Sequence, residues 1–458
     1  MNEFLYYHLK TILGVLDMLY SNNIDRDEIV SDAEKYLILS MIEGLEPVVV
    51  DRAKDSKIWD VNGKEYVDFF SGISVVNIGH SREEIIEAVI HQLRKYVHVC
   101  TYVYYVPPAI MLAKKLAEIT PGRISKTFFS NSGAEANECA MKLARKFTGK
   151  REFMALMGSF HGRTLATLSV TGQSRRKKPP MGPFLPGVTF APIPYCYRAP
   201  FKVDSEEECA KIYAELFKST FEFSTSRDVA AFIVEPVLGE GGIIPLPKDY
   251  LRIIKEEVLN PNNILLIVDE VQTGFGRTGK MFAIEHYGIE PDIMAMAKGI
   301  AAGFPLGACS TREEIADSFE PGDHLSTFGG NPISAVAALK NIELMIREKV
   351  PERAASLGQH TIKRLREAQE SLNMIGDVRG LGLMIGVELV KDRRTKKPAV
   401  EEAKKVRILA REAGVLVGRG GITGSVIRVQ PPLTISRELL DRGLDILIEA
   451  ISKVEKEM

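Results

Sequence analysis

Two apolar runs near the middle of the chain each end in a charged residue. The first run, Ile264 to Val268, is followed by Asp269, and the second, Ile293 to Ala297, is followed by Lys298. Apolar runs of this length between turn signals are typical of strands that are buried on both faces of a parallel sheet. Because open α/β sheets bind ligands beyond the carboxyl ends of their strands, we expect Asp269 and Lys298 to share one site.

The pattern before this region predicts further strands and a helix. Strands are expected at Lys126 to Phe129, Arg151 to Met157 and Ala230 to Val234, and a helix at Glu135 to Phe147. The turn Ser130-Asn-Ser-Gly-Ala134 lies between the first of these strands and the helix. Because the first N–H groups of a helix are free and its N-terminus is positive, this turn is a candidate anion site.

The two ends of the chain predict a second, smaller unit. Asn62-Gly63 stands between Ile58 to Val61 and Lys64 to Phe69, which is the strongest short signal for a β-hairpin. A long helix is expected from Pro332 to about Glu348, followed by a helix, two strands and a helix that pack with the hairpin. The predicted C-terminal elements are Glu352 to Ser371, Gly376 to Val390, Val415 to Val429 and Arg437 to Lys453. Two helices are predicted nearer the N-terminus. The first begins with a capping box at Ser31 and reaches about Ile42, and the second spans Arg82 to Val97.

The balance of charges argues against two classes of partner. The 458 residues include 59 Lys and Arg and 60 Asp and Glu, which gives a formal net charge of −1. No overall field attracts nucleic acid or an anionic membrane, so we expect neither as a partner. Small-molecule chemistry is the better expectation.

The cysteines indicate a reducing location. The five residues Cys100, Cys139, Cys196, Cys209 and Cys309 are odd in number and scattered, and no Cys-x-x-Cys pair is present. This distribution argues against both a disulfide framework and a zinc site. We therefore expect a cytoplasmic protein without a structural metal.

Two further segments have simple interpretations. The first twenty residues lack a cationic start and a cleavage pattern, and Lys10 and Asp17 interrupt their apolar run, so a signal peptide or membrane span is not expected. We expect an amphipathic helix there, on the folded body or on a partner subunit. The basic run Arg175 to Lys178, which precedes Pro179-Pro180, has no interleaved aromatic residues for RNA binding and is interpreted as an exposed loop.

The segment from residue 264 to 303 carries the most specific motif. It joins Asp269-Glu-Val-Gln-Thr-Gly-Phe-Gly-Arg-Thr-Gly279 to Ala297-Lys-Gly299, and this combination resembles the signature of the class III aminotransferases, which use pyridoxal phosphate and include 4-aminobutyrate, ornithine and acetylornithine aminotransferases. This cofactor is held as a Schiff base by a lysine, while a carboxylate keeps its ring nitrogen protonated. The resemblance implies Lys298 and Asp269 as catalytic residues. The alternative is two ordinary core strands that end in charges by chance.

The resemblance runs from about Glu43 to the C-terminus and also implies the fold. We expect the fold-type I transferase architecture, an α/β fold with a large domain on a mostly parallel central sheet and a smaller α+β domain. The expected parts are an N-terminal helical extension (1–30), the N-terminal part of the small domain (31–79), the large cofactor-binding domain (80–331) and the C-terminal small domain with its linking helix (332–458).

The same resemblance assigns the remaining contacts of pyridoxal 5′-phosphate. Ser132, Gly133 and Ala134 match the phosphate-binding positions of the family. The ring of Phe160 stacks on the cofactor, and His161 lies near the aspartate at the ring nitrogen. The other implied contacts are Val271 on the opposite ring face, Gln272 at the phenolic oxygen, Glu235, and Thr327, which binds the phosphate of a neighbouring subunit.

Four residues are expected to select the substrate. Ile73 matches a position that lines the family's substrate pocket, and Arg163 aligns with an arginine that meets a distal carboxylate, although a structural salt bridge is its alternative role. Glu240 pairs in the family with an arginine, here Arg428, which binds the α-carboxylate after the glutamate swings away, whereas ω-amino substrates leave the pair closed. A static ion pair is the alternative. The sequence departs from the family pattern beside Arg428 at Ser425 and Gln430.

The function that follows from the resemblance is amino transfer. An amino acid or ω-amino acid would give its amino group to a 2-oxo acid by a ping-pong mechanism, with Lys298 as the general base, in a homodimer or higher homo-oligomer with shared sites. An amino-acid racemase or epimerase that uses the same lysine is the first alternative. A non-catalytic protein on this fold is the second.

Overall fold

The computed structural model describes residues 24–40, 45–177 and 181–458. Most of the expected N-terminal extension, including its amphipathic helix, lies outside these residues. The end of the predicted helix Ser31 to Ile42 and the end of the basic run at residues 178–180 also lie outside them.

The described strands form three sheets. The large sheet has the order β4-β12-β11-β10-β7-β5-β6, the second has the order β1-β2-β3-β16-β17-β14-β13 with β15 beside β14, and β8 pairs with β9. The strands are β1 Val50–Lys54, β2 Lys57–Asp60, β3 Glu65–Phe69, β4 Lys126–Ser130, β5 Glu152–Leu156, β6 Val188–Ala191, β7 Val229–Val234, β8 Val237–Leu238, β9 Ile244–Pro245, β10 Leu265–Asp269, β11 Ile293–Met296, β12 Gly307–Thr311, β13 Ile375–Leu381, β14 Met384–Asp392, β15 Lys397–Pro398, β16 Val415–Gly420 and β17 Val426–Val429.

The large sheet is mostly parallel, as the sequence predicts. Strands β11, β10, β7, β5 and β6 run parallel to one another, and β12 is antiparallel to both of its neighbours, β11 and β4. Every residue of β10 and β11 is buried, which explains their continuous apolar sequence. Asp269 pairs in register with Ala295, so the carboxyl ends of these two strands lie side by side.

The second sheet joins the two ends of the chain. The predicted hairpin is confirmed as β2 and β3, and β3 pairs in parallel with β16. The single strands predicted at 376–390 and 415–429 are wrong, because each region is a hairpin. Gly382 and Gly421 take positive φ angles of 54° and 85° in these turns.

Most of the predicted helices are confirmed. The helix after the Ser/Gly turn spans Gly133–Thr148, ends at Gly149 with φ 71°, and packs across β12, β11 and β7. The predicted capping box at Ser31 is wrong, because the side chain of Asp25 caps the helix instead. The helices are Arg26–Tyr36, Glu83–Leu93, Pro107–Ile119, Gly133–Thr148, Leu165–Val170, Glu206–Ser224, Tyr250–Ile254, Glu313–Ala316, Pro332–Arg347, Val350–Ser371, Val400–Glu412, which was not predicted, and Arg437–Lys456.

The cysteines depart from the expectation. Cys196 and Cys209 form a disulfide bond, whereas Cys100, Cys139 and Cys309 are free. The bond joins a short turn to the first part of the helix Glu206–Ser224, and this approach leaves no mark in the spacing of the cysteines. In the described part of the chain, no group of three His, Cys, Asp or Glu side chains could hold a metal ion, and no helix is long and apolar enough to cross a membrane.

Arg277, in the segment after β10, forms hydrogen bonds with residues beside the strands of the second sheet. Its side chain is fully buried, and its Nη1 donates to the backbone carbonyls of Leu383 at 3.1 Å and Pro431 at 2.6 Å. Its Nη2 donates to Asn77 Oδ1 at 2.7 Å. Three buried acceptors therefore depend on one guanidinium.

Replacing Arg277 by methionine is expected to lower the melting temperature clearly. The apolar side chain fills a similar volume but leaves three buried oxygens without donors, which costs about 3 kcal/mol or more. Thermal unfolding of the cofactor-loaded protein measures the loss. Arg442→Met, at a side chain that is 60% exposed, is the matched control and should change little. Equal melting temperatures for the two variants would contradict this role of Arg277.

Candidate active site

Asp269 and Lys298 line one cavity of about 400 Å³ at the carboxyl end of the large sheet. Asp269 is the last residue of β10, and Lys298 follows β11 directly after Ala297. Lys298 has a φ angle of 45°, a left-handed conformation that is unusual for a lysine. Burial lowers the pKa of its amine, while the carboxylates of Glu240, Asp269 and Glu235 act in the opposite direction.

Three donors fix the orientation of Asp269. His161 Nδ1 lies 2.8 Å from Asp269 Oδ2, Asn137 Nδ2 donates to the same oxygen at 2.8 Å, and the N–H of Val271 donates to Oδ1 at 3.0 Å. Asn137 was not predicted. The sequence feature that could have indicated it is a polar residue on the buried face of the helix Gly133–Thr148. Asn137 Nδ2 also donates to the carbonyl of His161 at 2.9 Å.

Glu235 lies next to this group and supports it. Its Oε1 accepts from the N–H of Phe160 at 2.8 Å, and its Oε2 accepts from the N–H of Gly239 at 2.9 Å. Burial raises the pKa of Glu235 to about 7, although His161 opposes this shift. Glu235 thus connects two loops that border the cavity, and it also lines the cavity itself.

The turn that was predicted as an anion site lies at the start of a 16-residue helix. Ser132 is its N-cap and accepts from the N–H of Glu135 at 3.2 Å, while Gly133 and Ala134 line the cavity. A Cβ atom at Gly133 would lie 2.7 Å from the side chain of Val271, so only glycine fits here. The free N–H groups and the helix dipole favour a phosphate at this place.

Thr327 does not join its own chain's cavity. It is exposed, as is Phe328, and neither residue lines the cavity around Lys298. The neighbouring Ser326 accepts from Asn131 Nδ2 at 3.4 Å, which places this loop near the outer edge of the anion site.

The four residues expected to select the substrate line an adjoining cavity of about 710 Å³, together with Lys298. Ile73 lies in the short turn Ser71–Ser74, in which all four φ angles are positive, and Arg163 lies 5.5 Å from the ring centroid of Phe160. Such a conformation is strained for a β-branched residue. The carbonyl of Gln430 accepts from Ser71 Oγ at 2.6 Å and so holds this turn.

Glu240 and Arg428 form the expected ion pair in this cavity. Arg428 Nη1 donates to Glu240 Oε1 at 2.6 Å. Burial acts to raise the pKa of Glu240, but the charges of Arg428, Lys298 and Arg176 outweigh it and lower that pKa to about 2. Both departures from the family pattern are buried, and Gln430 has no partner for either polar atom of its side chain among the described residues.

The interpretation of the basic run as an exposed loop is wrong for its first two residues. Arg175 and Arg176 line the substrate cavity, and Arg176 Nη2 donates to Glu240 Oε2 at 3.0 Å. The side chain of Arg176 is only 8% exposed. Sequence pattern missed this because nothing local distinguishes a basic loop in solvent from one that folds back over a carboxylate.

The cavity fits pyridoxal phosphate. Gln272 Nε2 is buried without a partner in the described part of the chain, so it has a hydrogen bond to give to a phenolic oxygen. Val271 and Phe160 supply side chains for the faces of an aromatic ring, and the anion site lies in the same cavity as Lys298. With Asp269 in the same cavity, the donors and acceptors match the groups of this cofactor.

Comparison with known proteins agrees with this chemistry. The model of the class-III aminotransferase family matches residues 41–451. A leucine/methionine racemase of Thermococcus litoralis is 43% identical, over 90% of this chain and 92% of that protein. An acetylornithine aminotransferase of Methanothermobacter thermautotrophicus is 41% identical, over 94% of this chain and 100% of that protein.

A solved structure is also similar over most of its length. The PLP-bound form of an amine transaminase from an uncultivated Pseudomonas species has a TM-score of 0.84 at 32% identity, over 90% of this chain and 97% of that one. The expected fold-type I architecture is thereby confirmed. With the family model matched over 41–451, the chain belongs to the class III aminotransferases, and pyridoxal phosphate is its cofactor.

Proposed function

We propose that this aminotransferase moves an amino group from an amino acid or ω-amino acid to a 2-oxo acid. The observation that carries the proposal is the position of Lys298, which lines both the cofactor cavity and the arginine-rich substrate cavity. A donor that is held in the second cavity therefore lies beside this amine and next to the cofactor cavity, with which the second cavity also shares Phe160 and Glu240. The two half-reactions share one site, so ping-pong kinetics are expected.

The cofactor, when bound, supplies an aldehyde that takes up the amino group and a ring that delocalises an electron pair. Lys298 then serves as the general base, and its lowered pKa favours the neutral amine that this role requires. It takes the proton from the amine-bearing carbon of the donor and holds it for return. Asp269, fixed by His161 and Asn137, holds the proton of the ring nitrogen.

The polar side chains of the substrate cavity have separate roles in this proposal. Arg428 binds the α-carboxylate of an amino acid after Glu240 has left it, and the closed pair faces ω-amino donors. Arg163 binds a distal carboxylate, and Ile73 contacts the carbon chain. Their common position around Lys298 supports these roles, and a guanidinium is the group best suited to a carboxylate.

We also propose a homodimer in which Thr327 completes the phosphate site of the partner. The exposure of Thr327 supports this proposal. Three large side chains are also exposed: Phe328, which follows Thr327, is 59% exposed, Tyr104 is 65% exposed and Tyr105 is 96% exposed. Apolar side chains exposed to this extent are typical of surfaces that another protein covers.

We propose the cytoplasm as the location of the protein. The free Cys100, Cys139 and Cys309 support it, and the disulfide bond speaks against it.

Amino-acid racemisation is the second candidate, because one relative at 43% identity is a leucine/methionine racemase. The same lysine can return the proton to the substrate instead of the cofactor. Incubating the protein with one enantiomer of leucine or of alanine, first without and then with 2-oxoglutarate, separates the two activities. Without 2-oxoglutarate we expect at most one equivalent of 2-oxo product per active site, and we expect glutamate and continued formation of the 2-oxo product only when 2-oxoglutarate is present. Accumulation of the mirror-image amino acid without any oxo product would contradict the proposal.

A further inference from the structure

Glu240 holds two arginines at once. Its Oε1 accepts from Arg428 Nη1 at 2.6 Å, and its Oε2 accepts from Arg176 Nη2 at 3.0 Å. The three side chains are 15%, 5% and 8% exposed, respectively. Each carboxylate oxygen therefore has a cation of its own, and both ion pairs are largely shielded from water.

Arg176 is held in place by contacts that do not involve Glu240. Its Nε donates to Gln173 Oε1 at 3.3 Å, and its guanidinium lies 5.8 Å from the ring centroid of Phe160. Gln173 Nε2 in turn donates to the carbonyl of Gly158 at 3.2 Å. Arg176 can therefore stay where it is while Glu240 moves.

Arg428 cannot donate from Nη1 to a substrate carboxylate in the same way while Glu240 Oε1 accepts that hydrogen bond. A buried carboxylate that loses its only cation is strongly unfavourable, because nothing replaces the lost hydration. Glu240 avoids this state, since a rotation of its side chain can break the contact with Arg428 and keep the contact with Arg176. The open state of the pair then leaves no buried charge alone.

We propose that Arg176 is a positioning residue that retains Glu240 when the α-carboxylate of a donor replaces it on Arg428. This inference rests on the proposed function, in which Arg428 binds the α-carboxylate. Arg176 thereby favours α-amino acids over donors whose amine is far from the carboxylate, because only the former require the pair to open. In this role Arg176 acts through Glu240 and not by binding the α-carboxylate of the donor itself.

The test compares two isomeric donors in the first half-reaction. L-2-Aminobutyrate has an α-carboxylate and 4-aminobutyrate does not, and the loss of cofactor absorbance reports the rate with each. In Arg176→Met, the efficiency ratio of the α-donor to the ω-donor is expected to fall about tenfold, which corresponds to about 1.4 kcal/mol. The change should lie in the donor concentration needed for half-saturation rather than in the rate at saturation, and Arg176→Lys should restore part of the ratio.

A second background separates this role from a structural one. In Glu240→Gln no charge is displaced, so adding Arg176→Met is expected to leave the donor ratio unchanged. Arg151→Gln, which removes a cation whose side chain is 86% exposed, is the control for long-range charge and should keep the wild-type ratio. Equal losses for both donors in Arg176→Met, or a loss that persists in the Glu240→Gln background, would overturn the role of Arg176. A wild-type protein that forms no oxo acid from any amino donor would instead overturn the proposed function.

Discussion

Alanine in place of Lys298 is expected to abolish amino transfer and the visible absorption of the bound cofactor. Among the described residues that line the two connected cavities, Lys298 is the only lysine, so no second amine can replace it. The variant loses both the covalent attachment and the general base, and we expect the rate of the half-reaction to fall by about 10⁴-fold or more. Absorbance spectra and single-turnover rates measure the two effects.

A small amine in solution should restore part of the lost rate. Methylamine enters the space left by the side chain and supplies a base without an attachment, so rescue identifies proton transfer as the missing step. Lys202→Ala, at a side chain that is 85% exposed, is the matched control and should keep its absorption and its activity. A yellow and active Lys298→Ala variant would show that another group carries the chemistry.

Replacing Asp269 by asparagine is expected to lower the rate of the half-reaction by about 10³-fold, or about 4 kcal/mol of barrier. The amide has nearly the same shape and can still meet Asn137 and His161, but it has no charge to hold the proton of the ring nitrogen. The ring then accepts the electron pair poorly. Rates of proton removal from an α-deuterated donor measure this loss directly.

Cofactor binding separates a chemical defect from a structural one. Asp269→Asn should still bind pyridoxal phosphate and show its colour, because Lys298 and the anion site are unchanged. Asp228→Asn, which loses a pair with the exposed Arg151, is the control and should keep wild-type rates. An unchanged rate in Asp269→Asn would mean that Asp269 does not meet the ring nitrogen.

The sequence predicted the parts of the site that are encoded locally. The charged residues after β10 and β11 follow apolar strands directly, and Ser132 and Gly133 open a helix, so strand and helix patterns were sufficient to place them. The resemblance added Arg428, whose pairing with Glu240 is confirmed. Asp269, Lys298 and Ser132 could be found because each stands close to a recognisable end of a strand or helix, whereas Arg428 and Glu240 needed the resemblance.

The parts that were missed depend on contacts between distant segments. Arg176 approaches Glu240 across 64 positions and Cys196 approaches Cys209 across a turn, and periodicity reports neither contact. The hairpin at Gly382 was missed because only Gly382 and Leu383 separate its two strands, so no polar stretch marks the turn. Local patterns identify helices and strands, whereas the packing of loops against them is decided by the whole fold.

The parallel pairing of β3 with β16 has a consequence for the order in which the two large sheets can fold during synthesis. Residues 65–69 leave the ribosome long before residues 415–420, with which they pair. The large sheet, which ends at Thr311, can fold during synthesis. The second sheet has to wait for residues 415–429, so Glu240 meets Arg428 only after residue 428 has been synthesised. The nascent chain can therefore form the large sheet, which carries Asp269 and Lys298, before it forms the Glu240–Arg428 pair of the substrate cavity.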